Sequence, residues 1–318
     1  MNTENFEQAK QLISASQRIL FTTHERTDGD DLGSVLALAN HLQKTGKNVT
    51  LAIKGGVPEQ LQYLPLHEWV QEDLTHADFD LLIISGCSTL ERCGLSTIIN
   101  SRLPILNVDH HPDNTMYGDV NVVQADKSSV AELVYDFFQY CHWPVTPGIA
   151  TCLLTGIFTD TGSFMHSNTQ GSTLTAAADL MRKGARTATV ARHTYKGKNV
   201  EGLKAWGKAL ENAYYDPDQK IIYSIITEEE LEELGNPPLD YFEGLVETLN
   251  KVPEAKFALF LKQDGDVIKG SLRSDPHKGT DVKKIAHLFG GGGHTWASGF
   301  SLAGKLVRDD QGKWQVLR

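Results

Sequence analysis

Three short segments of this chain carry side chains suited to hard divalent cations. Residues 24–30 read HERTDGD and offer one imidazole, His24, and two carboxylates, Asp28 and Asp30. Further along come Asp109-His110-His111 and Thr159-Asp160-Thr161-Gly162. Oxygen and imidazole donors favour manganese or magnesium over softer metals. Gly29, between the two aspartates, permits a sharp bend that lets Asp28 and Asp30 face different ions. Each segment alone has an ordinary explanation: TDGD is a common turn, Asp31 behind it could cap a helix, and Asp160 could end one. Three such segments, two of them closing apolar strand-like runs, are better explained by one shared site.

The runs that position them alternate strand and helix patterns, the signature of a parallel α/β sheet. Strands are expected at residues 18–23, 48–53, 80–85 and 104–108. Leu32, Val35, Leu36, Ala39 and Leu42 recur at helical spacing, and further helices are expected at 129–140, 147–157 and 173–183. Ligands of such sheets bind beyond the carboxyl ends of the strands. From residue 214 onward, strands are expected at 220–226, 255–261, 267–272 and 296–302, with helices at 228–234, 241–249 and 281–289, a smaller α+β domain. The division is 1–185, a connector at 186–213 interrupted by KGKN at 196–199, and 214–318.

Composition narrows the ligand. A formal charge of −10 does not suit a protein that tracks a long polyanion by counterion release. A phosphate compound would have to be met locally, by metal ions and a few basic side chains, which favours small substrates. The four cysteines (Cys87, Cys93, Cys141, Cys152) show no CxxC spacing and read as reduced structural thiols, with no Cys-His pair to make Cys87 a nucleophile. The N-terminal residues show no export signal, and no apolar run approaches the roughly 18 to 20 residues of a membrane span, so a cytoplasmic location without membrane contact is expected.

The order HxxxDxD, DHH, GIFTDTGSF (156–164) and FGGGGHTWASG (289–299) resembles the motif set of the DHH/DHHA1 phosphoesterases over nearly the whole chain. Its nearest branch is the NrnA-like group of bacterial nanoRNases and phosphoadenosine-phosphate phosphatases. The resemblance implies a metal-binding DHH domain, a DHHA1 substrate domain and an active site in the cleft between them. It implies two manganese ions, one held by His24 and Asp28, the other by Asp30, His110 and Asp160. His111 would face the phosphate and Asp109 would orient a ligand. Two such ions clamp a phosphoryl group and activate a water for in-line attack, so no protein nucleophile is needed.

The family also places an aspartate, bridging both metals, at the end of the third strand, six residues before an arginine. Counting back from Arg92 reaches Gly86, in LLIISGCSTLER. Glycine has no donor, so metal affinity and water activation are expected to be impaired. With every other motif intact, deliberate replacement of an ancestral aspartate accounts for Gly86 more simply than natural decay.

In the second domain, Gly291, Gly292, Gly293 and His294 resemble the DHHA1 loop that meets the substrate phosphate, with backbone N–H groups unobstructed by side chains. Arg273 is the expected bidentate phosphate partner, with a surface ion pair as its competing explanation. Ser128, Ser129, His166 and Asn168 offer polar contacts unless they merely cap or pin loops. The expected substrates are dinucleotides such as pGpG and very short RNA or DNA, yielding nucleoside monophosphates. The alternatives are 3′-phosphoadenosine 5′-phosphate phosphatase, cyclic dinucleotide phosphodiesterase, and a non-catalytic nucleotide sensor supported by Gly86. Oligomeric state, a homodimer included, is written in no motif.

Overall fold

A computed structural model describes residues 3–25, 27–74, 78–95, 103–194, 200–242, 244–309 and 314–317. Arg26 of the first metal-capable segment and the KGKN stretch at 196–199 lie outside the described residues. Packing divides the chain into two compact units, Met1–Lys196 and Gly197–Arg318.

The first unit is built on strands β1 (Arg18–Thr23), β2 (Asn48–Ala52), β3 (Val70–Gln71), β4 (Leu81–Ser85), β5 (Ile105–Asp109) and β6 (Val120–Val123). They form one parallel sheet in the order β3-β2-β1-β4-β5-β6. Four of them answer to the expected strands. With two residues in β3 and four in β6, neither is long enough to show a strand's alternation. The order reverses between β1 and β4, and at such a switch point the connections diverge to leave a crevice at the strand ends.

Alternation along the buried strands feeds two cores. Ile19, Phe21, Leu81, Ile83, Leu106 and Val108 belong to the larger one. Leu20, Leu82, Ile84 and Ile105 belong to a smaller cluster with Cys87 and Cys93. Around the sheet lie helices α1 (Thr3–Ala15), α2 (Gly29–Lys44), α3 (Val130–Cys141), α4 (Pro147–Asp160), α5 (Gly171–Arg182) and α6 (Thr187–Thr194). Helix α2 is buried from Gly29 to Leu42. Its Leu32, Val35 and Leu36 are fully enclosed, each contributing about 1.5–3 kcal/mol.

A tight helix contact then positions the site. A Cβ on Gly33 would strike the Cys152 carbonyl of α4, and one on Gly156 would strike Ala131 of α3 and the Asp30 carboxylate of α2. These two positions let the three helices close together, which draws Asp30 toward the last turn of α4. That helix runs to Asp160, a turn beyond the expected end at 157.

The second unit contains helices α7 (Val200–Glu211), α8 (Glu228–Glu233), α9 (Leu245–Leu249) and α10 (Val282–Leu288). Its strands are β7 (Tyr214–Asp216), β8 (Ile221–Ile226), β9 (Phe257–Asp264), β10 (Val267–Arg273), β11 (Gly292–Gly293) and β12 (Ala297–Ala303). They order as β11-β12-β10-β9-β8-β7, with β8–β9 parallel and the other pairs antiparallel. A ribbon of β13 (Lys305–Arg308) and β14 (Trp314–Leu317) follows. This is the smaller α+β unit expected. Among the described residues no helix is long and apolar enough to cross a membrane.

The Gly33 contact is against backbone, which cannot rotate away, so strain outweighs the ~1 kcal/mol that alanine gains over glycine inside a helix. Gly33→Ala is expected to lower the thermal midpoint by several degrees, measured by circular dichroism.

Candidate metal centre

The metal-capable groups, and Gly86 where the family has one more, stand where an element begins or ends. His24 follows β1, Gly86 follows β4, and Asp109 closes β5, which leads straight into His110 and His111. Asp28 is the N-cap of α2: its Oδ1 accepts from the backbone N–H of Asp30 at 2.9 Å and of Asp31 at 3.1 Å. Capping therefore falls to Asp28 and not to Asp31, because the chain turns into the helix three residues earlier than a cap at Asp31 requires.

Two sets of donors gather here, each with its ligand atoms within 4.8 Å of one another. One is His24, Asp28 and Asp31, and the other is Asp30, His110 and Asp160. All five metal-site residues expected from sequence lie in these sets, and Asp31 joins them. His24 Nε2 stands 2.8 Å from Asp31 Oδ2 and 3.9 Å from Asp28 Oδ2. His110 Nε2 stands 3.7 Å from Asp160 Oδ2. The other ring nitrogen of each histidine faces a carbonyl: His24 Nδ1 the Glu25 oxygen at 2.8 Å, His110 Nδ1 the Lys127 oxygen at 3.2 Å. Carbonyls only accept, so each Nδ1 carries a proton; the Nε2 of His24 is protonated as well near neutral pH and donates to Asp31, and a cation bound there would take the place of that proton.

The carboxylates are held just as firmly. Asp30 accepts from Val130 N–H at 2.7 Å and Ala131 N–H at 2.8 Å, at the positive N-terminus of α3. Asp109, wholly buried, accepts through Oδ1 from the backbone N–H of His110 at 2.7 Å and from His111 Nδ1 at 2.7 Å, and through Oδ2 from Asn114 at 2.6 Å. It thus orients His111. Burial opposes ionisation of Asp109, yet the His111 and Asn114 bonds outweigh it and hold its pKa below the usual carboxylate range. Burial likewise would lower His111, and Asp109 reverses that, lifting it to about 8.

Polar residues expected to meet substrate prove largely engaged in support. Ser129 caps α3 by accepting from Glu132 N–H at 3.0 Å. Ser128 Oγ donates to Glu132 at 2.6 Å. Asn168 donates to the Ser128 carbonyl at 2.9 Å and to Asp160 Oδ2 at 3.3 Å, and His166 Nδ1 lies 3.2 Å from the Asp160 carbonyl. Sequence reading missed Glu132 and Asn114. The S-x-x-E spacing from Ser129 marked only a helix start, and nothing marked Asn114. The four cysteines are free and buried, and burial pushes the Cys87 thiol far up, which removes it as a nucleophile.

In the second unit the expectation of an open row of glycine N–H groups is corrected. Gly290 N–H bonds the His287 carbonyl at 3.1 Å and Gly291 N–H the Ala286 carbonyl at 2.9 Å, which together close the C-terminus of α10. Gly292 and Gly293 pair with Gly299 and Ser298, and His294 N–H bonds Ala297 at 2.7 Å. Helix termination and a strand pair absorb much of the loop. Arg273 Nε donates to Glu247 at 2.8 Å, the competing ion-pair arrangement.

Burial raises Asp30 and Asp31 to about 7 and Asp160 to about 6, and neighbouring carboxylates add to the push. His24 resists its burial through Asp31 and rises to about 9. Four carboxylates this close around two histidines suit divalent cations, which these two donor sets could hold.

The chain is similar to known proteins in family and in fold. Residues 18–157 match the model of the DHH family, N-terminal domain. The chain is similar to the bifunctional oligoribonuclease and PAP phosphatase NrnA of Thermus thermophilus, 28% identical over 299 residues, covering 93% of this chain and 87% of the relative. The protein of the same name from Bacillus subtilis is 26% identical over 297 residues, covering 91% of each. Among solved structures, an exopolyphosphatase-related protein from Bacteroides fragilis superposes with a TM-score of 0.86 at 23% identity, over 94% of this chain and 91% of that one.

An unfolded aspartate titrates near ~4, so the raised values of Asp30, Asp31 and Asp160 mean that the folded chain binds more protons than the unfolded one between about pH 4 and 7. Their contribution to stability therefore falls as pH rises through that window, and His24 extends the fall toward about pH 9. Cations bound at these donors would displace those protons. Manganese affinity is expected to climb from about pH 5.5 to 8 with proton release, read by calorimetry in two buffers of different ionisation enthalpy. A pH-independent affinity would contradict this.

Proposed function

We propose, for a chain whose residues 18–157 carry a DHH family N-terminal domain, a manganese-dependent phosphodiesterase that hydrolyses dinucleotides and very short oligonucleotides to nucleoside monophosphates. The observation that carries it is the pair of donor sets, His24-Asp28-Asp31 and Asp30-His110-Asp160, at the switch point of the sheet. When bound, two divalent cations supply charge for the phosphoryl oxygens and lower the pKa of a water.

The chain's own residues do the rest. His111, held at Nδ1 by Asp109 and charged in much of its population near neutral pH, sits beside the phosphate and delivers a proton toward the departing oxygen. Asn168 holds Asp160 in its ligating rotamer. In the second unit, Arg273 and the side chain of His294, at the end of the glycine turn, meet a substrate phosphate. The net charge of −10 disfavours long polyanions and so favours short substrates.

A second reading, phosphatase action on 3′-phosphoadenosine 5′-phosphate, is favoured by the PAP phosphatase in the relatives' names and uses the same donors on a terminal phosphate.

Purified protein with Mn²⁺ is expected to release monophosphates from pGpG and from short RNA faster than from a twenty-nucleotide strand, and EDTA should abolish the release. Phosphate release from 3′-phosphoadenosine 5′-phosphate alone would favour the second reading, and no hydrolysis of any of these would defeat both. His111→Ala is expected to lower kcat by about 10²-fold or more while manganese binding, followed by calorimetry, stays intact.

A further inference from the structure

Gly86 looks like a lost ligand until its surroundings are considered. It follows β4 with φ of +67°, and its N–H is fixed to the Val108 carbonyl of β5 at 2.9 Å. A Cβ built there would coincide with the carboxylate of Asp31. No L-side chain fits at position 86 while Asp31 keeps its place. Conversely, Asp31 fills the volume that a side chain at the end of β4 would take.

Asp31 is an unusual occupant. It is 2% exposed, on the first turn of α2. Its Oδ2 faces His24 Nε2 at 2.8 Å, while its Oδ1 is buried without a hydrogen-bond partner. A buried carboxylate oxygen with no donor is costly, and a bound ion is one of the partners that offsets that cost. Asp28 and His24 bring their own donor atoms within 4.8 Å of an Asp31 carboxylate oxygen.

We propose that Asp31 is a metal ligand that has taken over the carboxylate role of the strand end, and that Gly86 is the space it requires. The donor enters from the first turn of α2 and not from β4, and the two positions form a reciprocal pair: a carboxylate at one demands a glycine at the other. Gly86 is then an adaptation to Asp31, and the site is complete. This deepens the functional reading above, since it names a member of that site's ligand set.

The test is a substitution cycle read by manganese titration of metal-stripped protein, using calorimetry and the paramagnetic resonance signal of free Mn²⁺. The parent should bind two ions per chain. Asp31→Ala should lose one or weaken it at least tenfold, and Asp31→Asn, which preserves volume, should also weaken it. Gly86→Asp alone sets two carboxylates in one space and should lower both metal affinity and thermal midpoint. The double variant, Asp31→Ala with Gly86→Asp, should regain affinity to within a few-fold of the parent, because aspartate tolerates the left-handed backbone at position 86. Melting of the metal-free forms controls for folding. Parent-like binding of both ions by Asp31→Ala and Asp31→Asn, or a double variant no better than Asp31→Ala, would overturn the proposal. A parent that binds two ions and hydrolyses no phosphoester would defeat the functional reading and leave this one standing.

Discussion

Repulsion among buried carboxylates organises this structure. Asp30, Asp31 and Asp160 are drawn into one crevice with Asp28 at its rim, and burial together with their shared charge pushes three of them far above the usual aspartate range. A fold that gathers such groups works against itself unless positive charge arrives. Part of that charge is built in: the N-terminus of α3 holds Asp30, and protonated His24 faces Asp31. The remainder is suited to ions. His24 and His110, both held at Nδ1 by carbonyls, aim Nε2 at the carboxylates of their own donor sets, where a cation would take the place of the His24 proton.

The scaffold makes that concentration affordable by distributing its supports. Backbone N–H groups hold Asp30, Asn114 holds Asp109 behind His111, Glu132 holds Ser128, and Asn168 bonds Asp160, all from outside the crevice. The close approach of α2 to α4 at Gly33, and of α3 to α4 at Gly156, supplies the geometry those bonds then hold. Packing at the helix crossing and electrostatics at the strand ends are thus parts of one arrangement.

Much of this was visible along the chain. Strands β1, β2, β4 and β5 announce themselves as apolar runs, and the parallel sheet follows from their alternation with helical patterns. β3 and β6 escape because two to four residues cannot display a period. The metal-capable residues stood out by type and by position after strands. Asp31 did not, because beside a TDGD turn a capping role is the simpler reading, and only coordinates show that Asp28 already caps the helix. Gly86 was legible as a missing donor, but not as a space filled from another element, since the two residues lie far apart in the chain and meet only in the folded sheet. The glycine turn before His294 was legible as a turn. Its internal hydrogen bonds were not, because they depend on where α10 stops.

The most direct measurement is anomalous scattering at the manganese edge from crystals grown with Mn²⁺. Two peaks are expected at the switch point, one among His24, Asp28 and Asp31 and one among Asp30, His110 and Asp160. An ordered crevice without anomalous density, or density bound elsewhere on the chain, would contradict the account.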